Sequence, residues 1–435
     1  MKKNTYHLIT IGCQMNKADS ERVASFLEER AFRLLEDFTE ANLVILTTCG
    51  VRQSAEDRVY GLVNQIRKAN TEATVVITGC LAKRKDVWRR LKGQVDLFMP
   101  INELPNIFEL LEKNVSRKEQ GLVDSRIIEG EKYLSIEPKY QSPYTAYVPI
   151  GNGCDNFCAY CVVPYARGRE VYRPLEEVIA EVQGLLAKGY KEIVLIAQNV
   201  NSYLSGQDKF PDLLKKVLAL PGEFWVRFSS SHPKDLSDEL IALLADQKMC
   251  PHLHLAVQSG DDEVLERMNR KYTASHYRGL IAKARAVRQD LAITTDVIVG
   301  FPGETEEQFE NSAKLFQDLK FDLAYTAQYS PRPGTVSALM EDNVSREEKR
   351  RREKVLTEIL KISGEEKNRE YLEKEVLVLV DGTNKNGKYY GKTGSYKTVI
   401  FTAPENIRKD DLVGNFVSVK IIAVMDFGLE GQLVI

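Results

Sequence analysis

Over the first quarter of the chain, short runs of almost unbroken apolar residues alternate with stretches in which apolar positions recur every three or four residues. The runs at 6–12, 42–48 and 73–79 read as strands, and the periodic stretches at 18–29 and 55–69 read as helices between them. Strands and helices in alternation predict a parallel sheet, so residues 1–115 are expected to form a doubly wound α/β domain. From 116 to 145 the pattern dissolves into mixed polar residues, with Lys118, Glu119, Gln120 and Gly121 followed by Pro138 and Pro143. That composition predicts a connector with room for one hairpin.

The alternation resumes at 146, with strands predicted at 146–150, 192–197, 225–229, 252–257, 293–299 and 324–329. Helical patterns at 175–188, 211–220, 237–246, 262–269, 274–286 and 306–319 are interleaved with them. A repeat sustained this long predicts an open or closed β/α barrel, whose chemistry gathers at the C-terminal strand ends. Ser345 followed by Glu348 is a capping box that opens a charged helix to about 373, so this unit covers 146–372. The blocks 346–354 and 365–374 mix both signs of charge, which fits a solvated face better than a nucleic-acid arm. From 373 to 435 the pattern is all β, with short strands at 375–380, 389–393, 398–402, 416–424 and 429–435. Five such strands suit a small OB-like barrel. The fold class is therefore α/β, with a doubly wound first domain, a (β/α) barrel and a small C-terminal β-barrel.

Composition narrows the function less than the pattern does. A length of 435 residues allows two to four domains, and a net charge of -2 leaves nucleic-acid binding open, because a local basic surface can sit on a near-neutral protein. No apolar run reaches 18 residues, so no membrane span is expected, and the first residues lead into a strand pattern rather than an export signal. Seven cysteines in such a chain read as metal-binding or catalytic thiols in the cytosol rather than disulfides.

Six of the seven are placed in a telling way. Cys154, Cys158 and Cys161 are separated by three residues and then two, which puts three thiols on one tight loop after a predicted strand. Three ligands are one short of a closed zinc site or a fully ligated iron–sulfur cube, so such a centre keeps an open position. A structural zinc would need a fourth ligand, yet apart from this trio no Cys or His lies between Gly121 and Ser231. Cys13, Cys49 and Cys80 each follow directly on one of the first three predicted strands. All strands of a parallel sheet end at the edge where such folds bind ligands, so these three are expected to converge as a second site. Cys250 reads as an ordinary buried thiol. His252 and His254 share one strand face and read as packed core histidines, with a metal pair as the alternative.

Two basic groupings are candidates for nucleic acid. Arg167, Arg169 and Arg173 follow the cysteine loop and are placed to grip phosphates, or else to pair with Glu170, Glu176 and Glu177. Lys388, Tyr390 and Lys392, with Tyr389, Tyr396 and Lys397 nearby, interleave bases with aromatic rings as stacking on RNA requires. A polar hairpin with exposed tyrosines has the same composition, and residues 373–435 carry eight basic and eight acidic side chains.

The loop from Cys154 to Cys161 closely resembles the cluster loop of radical S-adenosylmethionine (SAM) enzymes. The whole chain is similar to the methylthiotransferases of that superfamily, which join a three-cysteine domain, a radical SAM barrel and a TRAM domain. The likeness rests on the stretches 11–16 (IGCQMN), 47–52 (TTCGVR), 78–80 (TGC), 161–170 (CVVPYARGRE) and 198–203 (QNVNSY). It extends to 258–260 (QSG), 300–305 (GFPGET) and 330–335 (SPRPGT). The resemblance implies a 4Fe–4S cluster on each cysteine trio, SAM on the open iron of the second, and Tyr160 beside the SAM adenine. It carries SAM contacts onto Gln198 and Asn199, where Ala197-Gln198-Asn199 replaces the usual Gly-Gly-Glu, and onto Gln258, Ile298 and Gly300. Glu304 falls one residue late for the associated pattern. Arg332, between two prolines, is a candidate contact to SAM or substrate, or part of a plain turn.

The activity the resemblance implies is conversion of an adenosine beside the anticodon, N6-isopentenylated, into its 2-methylthio derivative. One SAM methylates a sulfur held at the first cluster, and a second, cleaved at the other cluster, provides the radical that removes hydrogen from carbon 2. The implied partners are a tRNA anticodon stem-loop and a low-potential electron donor such as flavodoxin or ferredoxin, and the chain is expected to be monomeric. Within the family the alternative substrates are threonylcarbamoyl-adenosine or a ribosomal-protein aspartate. From a different class, a non-catalytic RNA-binding protein with structural zinc is the competing reading.

Overall fold

The computed structural model describes residues 4–117, 131–404 and 407–434. Its first unit is a parallel sheet of five strands, β1 (Thr5–Thr10), β2 (Arg33–Leu34), β3 (Leu43–Thr48), β4 (Thr74–Gly79) and β5 (Leu97–Phe98), in the order 2-1-3-4-5. All six residues of the central β3 are buried, as a strand covered on both faces demands. Val44 and Leu46 point to one face, where they meet Val59 and Val63 of helix α2 (Gln53–Ala69). Leu43 and Ile45 point to the other, against Val23 and Phe26 of helix α1 (Gln14–Glu28). The period-two alternation thus makes the domain doubly wound. Because β2 lies outside β1, the order reverses between β1 and β3, and such a switch point opens a crevice at the strand ends. The two-residue strands β2 and β5 are too short to show a pattern in the sequence.

Of the expected connector, residues 118–130 lie outside the described residues. The described remainder carries the helical turn Glu131–Leu134, whose Tyr133 and Leu134 are buried in the first domain's core. Farther on, the backbone of Lys139 and Gln141 bonds to Glu21 of α1.

The second unit has six parallel strands, Thr145–Pro149, Glu192–Ile196, Trp225–Phe228, His252–His254, Ala292–Val299 and Leu323–Gln328. The first three form one sheet and the last three another, and bridges from Val226 to Met249 and from Ser231 to Leu255 join them side by side. The first and sixth strands do not pair, so the barrel is open along one side. Helix α1 enters this opening: Met15 and Ala18 pack on Val194, Ile196 and Tyr147, and Ser229 Oγ donates to Gln14 Oε1 at 3.1 Å. The long helix Arg346–Arg369 starts where expected, with Ser345 Oγ accepting from Glu348 N at 3.2 Å, and buries Leu356 and Leu360 in the barrel core.

The C-terminal unit is a closed five-stranded barrel built from Glu375–Thr383, Tyr389–Thr393, Thr398–Thr402, Phe416–Met425 and Gly428–Leu433. It packs under the N-terminal strand ends of the larger barrel. Trp225 meets Phe416 at 4.6 Å between ring centroids, Tyr396 stacks on His252 at 5.2 Å, and a buried ion pair joins Lys397 to Asp322 at 2.8 Å. His252 and His254 both bond to Thr294 Oγ1 at 3.0 Å, so the packed reading of these histidines holds. Among the described residues no helix is long and apolar enough to cross a membrane.

Candidate active site between two cysteine trios

Cys49 and Cys80 stand immediately after β3 and β4 and Cys13 three residues after β1, which brings them to the crevice at the switch point. Cys13 is also the N-cap of α1, so the positive end of the helix faces its sulfur. The backbone is built for close approach here. Gly12, at φ +121°, would place a Cβ 2.5 Å from Cys49 Cβ, and Gly79, at φ +84°, would place one 2.5 Å from Thr48 O. The second loop repeats the device: Gly153, at φ +85°, would place a Cβ 2.1 Å from Arg169 O. A glycine thus precedes three of the six cysteines because no side chain fits. That regularity is legible in the sequence once these dipeptides are set side by side.

Each sulfur of the second trio receives one donor. Asn156 Nδ2 lies 3.5 Å from Cys154 Sγ, the Val163 backbone N–H donates to Cys161 Sγ at 3.4 Å, and Arg270 Nη1 lies 3.4 Å from Cys158 Sγ. Cys49 receives the Val51 N–H at 3.5 Å. Such donors stabilise thiolates and the sulfurs of a metal cluster. Burial works the other way, pushing the Cys154 thiol up to about 11 and the Cys161 thiol up as well. A nearby metal charge reverses that balance, because ligating thiols lose their protons. Cys80 lies near enough to raise the Cys161 thiol electrostatically, so the two trios face each other.

Among the described residues no three Cys, His, Asp or Glu side chains converge closely enough to hold a single metal ion. Each trio supplies three thiols, one short of the ligands of a 4Fe–4S cube, and the donors directed at the second trio's sulfurs suit such a centre. Asn199 Oδ1 is buried without a partner, while Asn199 Nδ2 donates to Asp235 at 2.7 Å. Next to it, Gln198 Oε1 accepts from the Gly153 N–H at 2.6 Å. An orphaned acceptor beside the second loop suits a cofactor's amino group.

Between the loop after Cys49 and the end of the second cysteine loop lies a cavity of about 730 Å³. Its walls include Gly50 to Ser54 from the loop after Cys49, Tyr160 and Cys161 from the second loop, and Gln258, Asp296 and Ile298 from the barrel. Gln258 holds a left-handed backbone at φ +71° and bridges to Val297, a strained conformation of the kind fixed at ligand sites. Of the expected SAM contacts, Tyr160, Gln258, Ile298 and Arg332 line this cavity; Gln198, Asn199 and Gly300 do not. The Gly300 N–H donates to Glu304 Oε2 at 2.6 Å, and Glu304 in turn accepts from Arg352 at 2.8 Å. That carboxylate ties its loop to the long helix.

Arg167 and Arg173 are buried and engaged with acidic side chains, the pairing that was the alternative to a phosphate contact. Arg167 reaches α1, bonding Asp19 at 2.7 Å and Asn16 at 2.9 Å, and it also bonds Asn152 at 3.0 Å. Arg173 is paired with Glu181 at 2.5 Å. Arg332 likewise crosses to the first domain, donating to Gln53 Oε1 at 2.6 Å and Val51 O at 3.0 Å. Arg169 stays exposed and pairs with Asp155 at 2.9 Å. In the C-terminal barrel Lys388 pairs with Glu430 at 2.6 Å, while Tyr390 and Lys392 line a smaller cleft shared with α1 and the first barrel strands. Cys250 is buried, as expected. Arg270, Asn156 and Asn269, whose Nδ2 donates to Phe157 O at 3.0 Å, escaped sequence reasoning because nothing in their local pattern sets them apart.

The chain matches the Radical SAM superfamily over residues 148–316, the TRAM domain over 369–434 and the uncharacterized protein family UPF0004 over 5–99. Among solved structures, the radical S-adenosylmethionine methyltransferase TsrM from Kitasatospora setae is similar at a TM-score of 0.58. That match covers 78% of this chain and 74% of the other at 15% identity, a likeness of fold alone. A protein named tRNA-2-methylthio-N(6)-dimethylallyladenosine synthase from Acetivibrio thermocellus is 40% identical, covering 100% of this chain and 92% of its own. One of the same name from Carboxydothermus hydrogenoformans is 39% identical over 100% of both. Likeness from end to end to these relatives, with the loops that follow Cys49 and carry Cys161 lining one cavity, places the chain in the tRNA-2-methylthio-N(6)-dimethylallyladenosine synthase family of radical SAM proteins.

Proposed function

We propose that this protein replaces the hydrogen on carbon 2 of N6-isopentenyladenosine, beside the anticodon of a tRNA, with a methylthio group. The observation that carries this reading is the single cavity bounded by the loop after Cys49 on one side and by Cys161 on the other. Sulfur and hydrogen abstraction must act on the same carbon, so both centres have to open onto one chamber.

In this reading Cys13, Cys49 and Cys80 hold one 4Fe–4S cluster and Cys154, Cys158 and Cys161 the other, with SAM beside the latter. When bound, these groups supply one-electron cleavage of SAM and a transferable methylthio unit. The chain's part is placement. Asn156, Arg270 and the Val163 N–H direct donors at the second trio's sulfurs, and Asn199 Oδ1 offers its free acceptor to the SAM amino group. Tyr160, Gln258 and Ile298 shape the chamber, and Arg167 with Arg332 fixes the first domain over it. No side chain has to act as acid or base. Arg169 and Lys388 remain at the surface for RNA. A low-potential flavodoxin or ferredoxin delivers electrons to a cytoplasmic monomer.

Mass spectrometry of tRNA nucleosides from a deletion strain tests the substrate. Loss of 2-methylthio-isopentenyladenosine is expected; its persistence, with another methylthio product missing, refutes the choice. Anaerobic iron and sulfide analysis tests the ligands. About eight irons per chain are expected, falling to about four when either trio is changed to alanine. Loss of the second trio abolishes deoxyadenosine formation, whereas a colourless protein with bound zinc overturns the reading.

A further inference from the structure

Two large aromatic side chains from different domains are left uncovered on one cavity. Tyr325, on the sixth barrel strand, is 41% exposed, and Phe427, on the turn between the last two strands of the C-terminal barrel, is 50% exposed. Both line the chamber of about 730 Å³ that Cys161 and the loop after Cys49 also line. An exposed ring on a turn is ordinarily free to move, but this turn is clamped. Asn368 Nδ2, on the long helix, donates to Met425 O at 2.8 Å and Asp426 O at 3.3 Å. At Gly364 a Cβ would stand 3.2 Å from Asp426 O, so the helix presses on the turn where its surface is bare. Phe427 is therefore held as a wall.

That end of the chamber is apolar. Leu323, Leu360 and Phe427 all line it, with Thr357 from the long helix, and Leu323 and Phe427 also share the lining of a smaller adjoining cleft. The charged groups facing the chamber are Asp296, Glu353, Arg52 and Arg332. Arg332 is engaged with Gln53, Val51 O and, at 3.6 Å, Glu56, while Arg52 lies 5.9 Å from the centre of the Tyr325 ring, on the side of the first domain. Glu353 accepts from Gln328 at 2.7 Å. The register puts Ala327 opposite Ile298, and Val297 bridges to Gln258, so the cluster end of the chamber lies at that level. Leu323 is four residues away along the strand, or roughly 13 Å at the usual rise of a β-strand. An adenine with carbon 2 at the cluster end has its N6 substituent free to extend toward the apolar end.

Building on the methylthiotransferase reading above, we propose that Phe427, with Leu323 and Leu360, receives the hydrocarbon substituent on N6 of the substrate adenosine. The C-terminal barrel then contributes to substrate choice inside the reaction chamber as well as to RNA binding. A bare adenosine leaves this end unfilled, and a carboxylate-bearing substituent meets an apolar wall with Glu353 and Asp296 on the same chamber.

The test uses the full chain, anaerobically reconstituted, with anticodon stem-loop RNAs carrying isopentenyladenosine, threonylcarbamoyl-adenosine or unmodified adenosine. The dissociation constant for each is read by fluorescence anisotropy, and methylthio product by mass spectrometry. Phe427→Ala is expected to cut the preference for isopentenylated over unmodified RNA roughly ten-fold, the scale of small apolar differences in a pocket. Phe427→Leu should keep most of that preference. Iron content and the urea-unfolding midpoint should match wild type in both variants, which excludes misfolding. The inference is overturned if Phe427→Ala weakens all three RNAs alike or leaves their ratio unchanged. Wild-type protein that makes no methylthio product on isopentenylated RNA overturns the underlying activity instead, and the binding ratio still decides the role of Phe427.

Discussion

Arg167→Met separates the two halves of the reaction. The guanidinium of Arg167 follows the second cysteine loop, yet its bonds run to Asp19 and Asn16 on the helix that begins directly behind Cys13. The Arg167 and Asp19 side chains are 2% and 1% exposed, so methionine keeps the volume while leaving a buried carboxylate unpaired. Asp19 Oδ1 already lacks a partner, and no compensating bond stands ready. Breaking a buried pair in this way costs about 3–5 kcal/mol. The load falls on the seam between the first domain and the barrel, and a misplacement of about 1 Å lowers a rate on the order of 100-fold. The expected outcome in anaerobic single-turnover assays is deoxyadenosine formation near wild type with methylthio product reduced about 100-fold. Adding Asp19→Leu removes the stranded charge and should recover much of the lost stability in urea unfolding. If deoxyadenosine and methylthio product fall together, or neither falls, the reasoning is wrong.

Other perturbations follow from the same geometry. Gly12→Ala places a Cβ against Cys49 at a backbone angle that side chains avoid; iron and sulfide analysis should show about four irons missing while SAM cleavage persists. Arg270→Met removes both a donor and a positive charge from Cys158, so the cluster's reduction potential, followed by electron paramagnetic resonance titration, should drop. A loss of one decade in preference for the reduced state is roughly 59 mV, and an unchanged potential rules the contact out as a tuning element. Burial raises the Glu21 carboxyl to about 7, above its usual value of 4.5, so the folded protein binds the extra proton between these values and stability falls as pH rises from 4.5 to 7. Glu21→Gln should flatten that slope in urea titrations and stabilise the protein at pH 8 by at most about 3 kcal/mol.

How much of this was legible beforehand depends on whether a feature is local. The strands carrying Cys13, Cys49 and Cys80 were readable because fully buried β-strands appear as unbroken apolar runs, and parallel pairing then fixes where their ends meet. Helix α1 begins at Gln14, four residues before the pattern suggested, because Asn16 and Lys17 hide the periodicity; Asn16 is fully buried, bonded to Ile11 O and to Arg167 far along the chain. Pairing with other elements also explains why Arg167 and Arg173 read as candidate phosphate contacts and Arg332 as a contact to SAM or substrate. Their acceptors, Asp19, Glu181 and Gln53, lie on other elements, and no nearby residue announces them. Phe427 was invisible as a chamber wall for this reason: only the packing of a distant helix on its turn brings it there.

The entry of α1 into the open side of the barrel bears on how such proteins can be recombined. Stripped of that helix, the barrel presents Tyr147, Val194 and Ile196 as a bare greasy patch across the first two strands of its first sheet. Chimeras that graft a foreign amino-terminal module onto this scaffold must therefore carry residues 14–28 with the host, or supply a matching plug, if they are to stay in solution.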